Sequence, residues 1–179
     1  MSDKVLPHNL ISQNYKKDLL RFPKDFYLEA KQYLNDKEIR LIRKAYTFAD
    51  DAHQGQKRKD GNDYITHPTA VAKVLLELGM DVDSICAGFM HDVLEDCDVQ
   101  KSNLEKLFNK DIANIVDGVS KLGKIDLEDK AERNANNFQK MALAMANDVR
   151  VIVVKLCDRL HNMRTISYLP RHKQIYICK

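Results

Sequence analysis

Turn-forming residues divide this sequence into segments of helical periodicity and almost nowhere bound an alternating strand. This pattern predicts an all-α fold. With 179 residues, the chain is long enough for one domain that buries roughly two-thirds of its unfolded surface. We therefore expect a single domain over residues 1–179, built around one core.

Caps and breakers predict where the helices begin and end. Gly55 follows the second predicted helix, and Pro68 suits the first position of the third, which places His67 at a helix start. Residues 102–105 form a capping-box pattern that opens a short helix. The predicted helices cover residues 25–34, 36–52, about 68–79, about 83–96, a short segment from 102, 111–121, about 132–146 and 171–179.

Two later segments need separate interpretation. Residues 149–154 are rich in valine and isoleucine, a composition typical of a buried strand. The run continues without a breaker into a helical pattern that reaches Met163, so we predict one central buried helix instead. The polar segment 123–130 lacks an apolar stripe, and we expect a mobile connection there that gates the site.

Composition excludes several classes of protein. Hydrophobic residues make up 44% of the chain and charged residues 31%, with a net charge of +3, which excludes a disordered tail protein and falls short of a basic nucleic-acid binder. No apolar run approaches the roughly 20 residues of a membrane span, and the first residues lack a signal peptide's apolar region, so we expect a cytoplasmic chain. The four cysteines show no CxxC spacing, which favours reduced, mostly buried thiols over a disulfide or a zinc site.

The adjacent pair His91 and Asp92 is the feature that most directly suggests chemistry. With His67 upstream and Asp158 downstream, it offers two imidazoles and two carboxylates to one metal ion. Neighbouring residues of a helix point about 100° apart, so other elements must bring in the remaining ligands. Such a donor set suits zinc, iron, nickel, manganese or magnesium, and the residues alone do not choose among them. A metal-bound water at this site predicts hydrolysis.

Two acids stand one helical turn beyond this pair. Glu95 lies four residues after His91, and Asp96 lies four after Asp92, on the predicted far end of the same helix. Acids at a helix C-terminus oppose the helix macrodipole, which favours a role in orienting or deprotonating water over a purely solvated position.

Two further groups suggest contacts with substrate. Asp158, Asn162 and Thr165 are spaced by four and three residues, so they share a polar stripe that either lines a cavity or faces solvent. Arg58 and Lys59 precede His67, where they either meet an anionic substrate or are simply solvated.

Ordered segments distributed over about two-thirds of the chain resemble the hydrolase domain of the Rel/Spo family of long alarmone synthetase-hydrolases, which is an HD-type metal-dependent phosphohydrolase. A bare His-Asp doublet would be weak evidence, but several motifs in the same order are not. The matching segments are 45–59, 64–68, 91–96, 116–122, 137–141 and 155–165.

This resemblance implies an HD-domain helical bundle that hydrolyses the 3′-diphosphate of ppGpp or pppGpp in the stringent response, giving pyrophosphate with GDP or GTP. By the resemblance, the metal ligands are His67, His91, Asp92 and Asp158, and the metal is usually manganese (Mn2+). Glu95 and Asp96 would position and activate water. The residues implied in holding the guanosine and its phosphates are Arg58, Lys59, Asn162, Thr165 and Tyr168.

Some alternatives stay open. A catalytically silent domain could bind the alarmone without cleaving it, although all four implied ligands are retained here. An HD phosphohydrolase acting on another nucleotide is the second alternative.

Asp60 stands where many long members of the family carry serine, and Cys157 stands where alanine is common. The sequence stops at Lys179, which suggests either an excised domain of a longer parent chain with a synthetase domain or a stand-alone small hydrolase. We expect no nucleic-acid or membrane partner for this domain.

Overall fold

The computed structural model describes residues 21–123 and 147–177. Within these ranges there is no β-strand, only an isolated bridge between Lys57 and Asp63, so the all-α prediction is confirmed. The helices are α1 (Lys24–Ala30), α2 (Asp36–Ala52), α3 (Thr66–Glu77), α4 (Val82–Met90), α5 (Val93–Asp96), α6 (Lys101–Leu107), α7 (Lys110–Gly123), α8 (Val149–Arg164) and α9 (Arg171–Ile177), with a 3-10 turn at Ile166–Tyr168 between the last two. None of the helices in the described ranges is long and apolar enough to cross a bilayer.

Helix α4 lies at the centre of the bundle. All its residues from Ser84 to Met90 are buried, and α2, α3, α7 and α8 pack around it. Gly88 allows α3 to approach closely, because a Cβ added there would lie 2.5 Å from Leu75 Cδ1 and 3.3 Å from Ala72 Cα. The apolar composition of α4 thus makes it the core element that the neighbouring helices cover.

Helix α8 forms as predicted, but it is not the central buried helix that its valine-rich start suggested. Its inner face buries Val151, Val154 and Cys157. Its outer face is open, since Leu156 is 59% exposed. The prediction of helix over strand is therefore confirmed, and the prediction of full burial is wrong.

Helix α2 matches its predicted bounds. Asn35 caps it, since its side-chain oxygen accepts hydrogen bonds from the backbone N–H groups of Lys37 and Glu38, and the Glu38 carboxylate accepts one from the N–H of Asn35. The residues that α2 buries form one stripe, comprising Ile39, Ile42, Ala45, Tyr46 and Ala49.

Other predicted boundaries are wrong by a few residues. Helix α1 ends at Ala30 rather than at residue 34. Pro68 is the third residue of α3, not the first, which is tolerated because the first N–H groups of a helix need no intrahelical partner. The capping box at 102–105 is not formed, since α6 begins at Lys101 and the Asn103 side chain accepts the N–H of Gln100 at 2.9 Å. The predicted connection beyond residue 123 and the helix at 132–146 lie outside the described residues.

Candidate active site

Three separate parts of the bundle bring the predicted metal ligands together. His67 is the second residue of α3, His91 and Asp92 form the turn between α4 and α5, and Asp158 lies in the middle of α8. Helix α3 packs against both α4 and α8, which places these parts side by side. Both imidazoles and the Asp158 carboxylate are buried.

The donor atoms lie at the spacing expected of ligands that share a cation. His67 Nε2 is 3.3 Å from Asp158 Oδ1 and 3.6 Å from Asp92 Oδ2, while His91 Nε2 is 3.1 Å from Asp92 Oδ2 and 3.8 Å from Asp158 Oδ1. Adjacent ligands about 2.1 Å from one ion would be about 3 to 3.5 Å apart. His67, His91 and Asp158 form the tightest group, with donor atoms within 4.8 Å of one another, and Asp92 contacts both imidazoles at its edge. The structure thus brings all four predicted ligands together.

The hydrogen bonding of His91 fits a divalent cation. Its Nδ1 lies 2.9 Å from the carbonyl oxygen of Gly88, and because a carbonyl only accepts, Nδ1 carries the hydrogen. In the neutral ring this leaves a lone pair on Nε2, which is buried and has no hydrogen-bond partner. Ligating histidines characteristically donate their other ring N–H to such an acceptor. An unpartnered buried nitrogen beside two carboxylates is the arrangement that a cation would satisfy.

The electrostatics of the cluster show an excess of negative charge. Burial alone would lower the pKa of His91, but the carboxylates of Asp92 and Asp158 outweigh it and raise that pKa. Burial would raise the pKa of Asp158, yet its contacts with His67, His91 and Lys155 hold that pKa at about 2. The pKa of Asp92 is likewise held below its usual range, against burial, chiefly by His91. The carboxylates are therefore ionised at neutral pH and suited to binding a cation.

The two candidate catalytic acids lie beside this cluster, but not at the end of one long helix as predicted. Helix α4 ends at Met90, and Glu95 and Asp96 belong to the separate four-residue helix α5. The expected opposition to a helix macrodipole therefore does not occur. Glu95 has a raised pKa because partial burial outweighs the opposing charge of Lys155. A carboxyl group with a raised pKa is suited to proton transfer near neutral pH.

Tyr64, a residue without a role predicted from the sequence, links Asp96 to the candidate metal ligand Asp92. Its hydroxyl lies 2.7 Å from Asp92 Oδ2 and 2.9 Å from Asp96 Oδ2, and its ring stacks on His53 with centroids 4.3 Å apart. Burial and the two carboxylates raise the pKa of Tyr64, so it stays a phenol that can donate. Tyr64 belongs to the segment 64–68 that resembles the Rel/Spo hydrolases, but its spacing from His67 gives no indication that it faces Asp92.

Two residues of α8 that received no role in the sequence analysis also contact the ligands. Lys155 Nζ lies 3.0 Å from Asp158 Oδ2, and Nδ1 of His161 lies 2.8 Å from Nδ1 of His67. Burial and the nearby charges of His67 and Arg58 lower the pKa of His161 to about 4, so its ring is neutral at neutral pH. Their spacing of three residues on either side of Asp158 places them on its face of the helix, a signal that could have identified them.

A cleft of about 580 Å³ opens next to this centre, with Tyr64 on its wall. Arg58 Nη2 lies 3.4 Å from Asn162 Oδ1 and 3.3 Å from Thr165 Oγ1, so the loop before α3 meets the end of α8. All five residues predicted to bind substrate line the cleft, and so do residues that were not predicted. The lining comprises Lys57, Arg58, Lys59, Asp60, Tyr64, Arg159, Asn162, Met163, Thr165, Tyr168 and Leu169.

The cleft is connected to the candidate metal centre and carries positive charge. Asn162 donates to Asp158 Oδ1 at 2.6 Å, so a residue of the cleft wall also contacts the carboxylate of a candidate metal ligand. Four of the lining residues are cationic and Asp60 is the one acid among them, although Lys57 is paired with Asp63 at 2.6 Å. This distribution suits an anionic ligand that reaches from the cleft to the candidate metal centre.

Comparison with known proteins gives the family of this fold. A model of the HD domain matches residues 45–177. A guanosine-3′,5′-bis(diphosphate) 3′-pyrophosphohydrolase from Vibrio cholerae is 47% identical over 150 residues, which are 84% of this chain and 21% of that protein. The bifunctional (p)ppGpp synthase/hydrolase SpoT of Escherichia coli is 47% identical over 82% of this chain and 21% of its own length, and a GTP pyrophosphokinase from Myxococcus xanthus is 44% identical over 83% and 20%.

A solved structure, described as a metazoan ortholog of SpoT that hydrolyses ppGpp, superposes with a TM-score of 0.61 at 24% identity and covers 80% of both chains. This similarity concerns the fold. The chain spans about a fifth of the length of the curated relatives it matches. Because the family model covers most of the chain, the protein belongs to the HD domain family, in which its relatives are proteins of the Rel/Spo type.

Proposed function

We propose that this chain is a metal-dependent alarmone hydrolase that removes the 3′-diphosphate of ppGpp or pppGpp and yields pyrophosphate with GDP or GTP. The observation that carries the proposal is the cluster formed by the buried His67, His91 and Asp158 with the partly exposed Asp92, beside a cation-lined cleft of about 580 Å³. The names of the relatives, which include ppGpp 3′-pyrophosphohydrolases, support this choice of substrate.

We propose Mn2+ as the metal, held by His67, His91, Asp92 and Asp158. The mixed nitrogen and oxygen donor set is compatible with manganese, and the family resemblance favours it. A bound divalent cation would act as a Lewis acid on a phosphoryl oxygen and make a coordinated water more acidic. Asn162 and Lys155 hold the two oxygens of Asp158 at 2.6 and 3.0 Å, which fixes the orientation of this ligand.

Glu95 and Asp96 are proposed to handle protons. The water oxygen forms a bond to the phosphorus that carries O3′, the P–O3′ bond breaks, a water proton passes to a carboxylate, and the departing oxygen takes up a proton. Glu95 is the better candidate for the acceptor, because partial burial raises its pKa towards neutrality. Asp96 is held towards the ligands by the Tyr64 hydroxyl.

Arg58 and Lys59 are proposed to bind the phosphates. Both lie in the loop before α3, where Arg58 is oriented by Asn162 and Thr165. A guanidinium held in this way suits bidentate contacts with a phosphate group. Tyr168, which is 60% exposed on the cleft wall, offers an aromatic face to the guanine base.

The test is to incubate the purified chain with ppGpp and Mn2+ and to measure pyrophosphate and GDP. Asp158→Ala is expected to lose both metal binding and turnover. The control Asp25→Ala is expected to keep both, because Asp25 lies on α1 and pairs with Lys73 of α3. Circular dichroism of each variant separates loss of the site from loss of the fold. Undiminished turnover in Asp158→Ala would refute the assignment.

The same assay distinguishes the two alternatives. Tight binding of ppGpp without release of pyrophosphate would identify a silent alarmone-binding domain. Cleavage of GTP or a deoxynucleotide in preference to ppGpp would identify an HD phosphohydrolase with another substrate. We further propose that residues 1–179 are one domain and that a longer parent chain would carry a synthetase domain beside it, as the much longer GTP pyrophosphokinase relative suggests.

A further inference from the structure

We propose that His161 is a positioning residue for the metal centre, which accepts a hydrogen bond from His67 and thereby holds His67 Nε2 towards the carboxylates. The proposal rests on the metal site of the proposed function and assigns a role to a residue outside the ligand set. The observation behind it is the 2.8 Å distance between the Nδ1 atoms of the two rings.

Two ring nitrogens this close must share one hydrogen. If both carried a hydrogen the two N–H groups would repel, and if neither did the two lone pairs would repel. The contact therefore has two arrangements, in which either His67 or His161 donates. The ring centroids are 4.9 Å apart with planes tilted by 41°, so the rings are not stacked and the contact is made through the nitrogens.

Only one of these arrangements leaves His67 able to bind a cation. If His161 donates, the neutral His67 ring carries its hydrogen on Nε2, the atom 3.3 Å from Asp158 Oδ1, and that nitrogen has no lone pair for a metal. If His67 donates from Nδ1, its Nε2 presents a lone pair to the centre. Binding of a cation at His67 therefore requires His161 to act as the acceptor.

The arrangement around His91 shows the same principle with a different acceptor. There the carbonyl oxygen of Gly88 accepts the Nδ1 hydrogen and sets the tautomer. For His67, a side chain performs this function, and it comes from α8, the helix that also carries Asp158 three residues earlier. Helix α8 therefore supplies a ligand and the orienting partner of another ligand from a single face.

The test uses three variants and a readout that does not depend on turnover. His161→Leu removes the acceptor, His161→Asn places an amide oxygen close to the position of Nδ1, and His172→Leu is the control, because His172 is exposed on α9. Mn2+ affinity is measured on metal-free protein by titration with electron paramagnetic resonance of the free ion. Removal of such outer partners typically costs about 10- to 100-fold in metal affinity, so we expect that loss in His161→Leu, partial recovery in His161→Asn and none in the control.

Two outcomes overturn the proposal. One is wild-type Mn2+ affinity in His161→Leu, and the other is an equal loss in the leucine and asparagine variants with both still folded. If His161→Leu does not fold, the wild-type protein still decides the question: on addition of the diamagnetic probe Zn2+, ring-nitrogen chemical shifts must show a hydrogen on Nδ1 of His67 and none on Nδ1 of His161. Failure of the wild-type protein to bind Mn2+ at all would instead refute the metal site of the proposed function.

Discussion

Replacement of Tyr64 by phenylalanine tests whether the link between the proposed metal ligand Asp92 and the candidate catalytic acid Asp96 matters for turnover. The substitution removes one hydroxyl, which lies 2.7 Å from Asp92 Oδ2 and 2.9 Å from Asp96 Oδ2, and keeps the ring that stacks on His53. A phenol has one hydrogen, so it can donate fully to only one of the two acidic side chains at a time. The loss is therefore one hydrogen bond to a carboxyl group rather than two.

Such a bond contributes about 1.5 to 3 kcal/mol. If it holds Asp96 in place in the transition state, kcat falls by about 10- to 150-fold. The KM for ppGpp is expected to change little, because the substitution retains the cations of the cleft and the ring of residue 64 on its wall. Steady-state kinetics at saturating Mn2+ measures both constants.

Tyr33→Phe is the matched control. The Tyr33 hydroxyl also lies between two oxygen acceptors, the carbonyls of Leu76 at 3.2 Å and Met80 at 3.1 Å, but these belong to the last turn of α3 and the connection to α4 rather than to the cleft. This variant is expected to lose stability and to keep kcat. A Tyr64→Phe protein that binds Mn2+ and retains wild-type kcat would refute the positioning argument, and a change in KM alone would make Tyr64 a substrate contact instead.

Three further predictions concern packing, charge and thiol chemistry. Gly88→Ala should destabilise the fold by up to about 2 kcal/mol, since overpacking outweighs the gain in helix propensity, and should weaken Mn2+ binding by displacing the carbonyl that orients His91. The control Gly118→Ala, where a Cβ would lie 2.8 Å from Val151, should lower only the thermal stability. Equal Mn2+ affinities in the two variants would contradict this prediction. Arg58→Ala should raise the KM for ppGpp by about 10-fold or more with little change in kcat, and an unchanged KM would exclude it from phosphate binding. Burial raises the pKa of the Cys97 thiol to about 11, so about one thiol in a thousand is ionised at pH 8. Iodoacetamide should therefore label Cys97 more slowly in the folded protein than in the unfolded chain, as measured by peptide mass spectrometry. Equally rapid labelling in both states would contradict the raised pKa.

The course of α8 could be predicted because the absence of a breaker mattered more than local composition. Residues 149–154 favour a strand by composition, yet the chain runs on as a helix to Arg164. Tertiary packing stabilises this choice, since Val151 fits against Gly118 of α7. The open outer face of α8 was not predictable, because a row of apolar side chains gives no indication of whether another element covers it.

The break between α4 and α5 was not predictable from local sequence. No glycine or proline lies between Met90 and Asp96, and the apolar and acidic residues there continue a helical pattern. In the structure a new helix begins at Val93, directly after Asp92, whose carbonyl accepts the N–H groups of Glu95 at 3.0 Å and Asp96 at 2.9 Å. The contacts that accompany this break come from distant parts of the chain, since the Asp92 side chain meets His67 and Tyr64. A local pattern contains no information about such contacts.

The proposed metal ligands could be named from the sequence more readily than the residues that support them, for a reason that lies in the chemistry of each role. Few side chains can donate to a cation, so histidine and aspartate at ordered positions restrict the choice of ligands. A hydrogen-bond acceptor for a ring N–H can be almost anything: for His91 it is the backbone carbonyl of Gly88, which every residue type possesses. For His67 the acceptor is His161, a side chain that mutation can remove. The two imidazoles therefore differ in their sensitivity to mutation. The hydrogen bond that orients His91 is lost only if the backbone moves, whereas the one that orients His67 is lost when His161 is replaced.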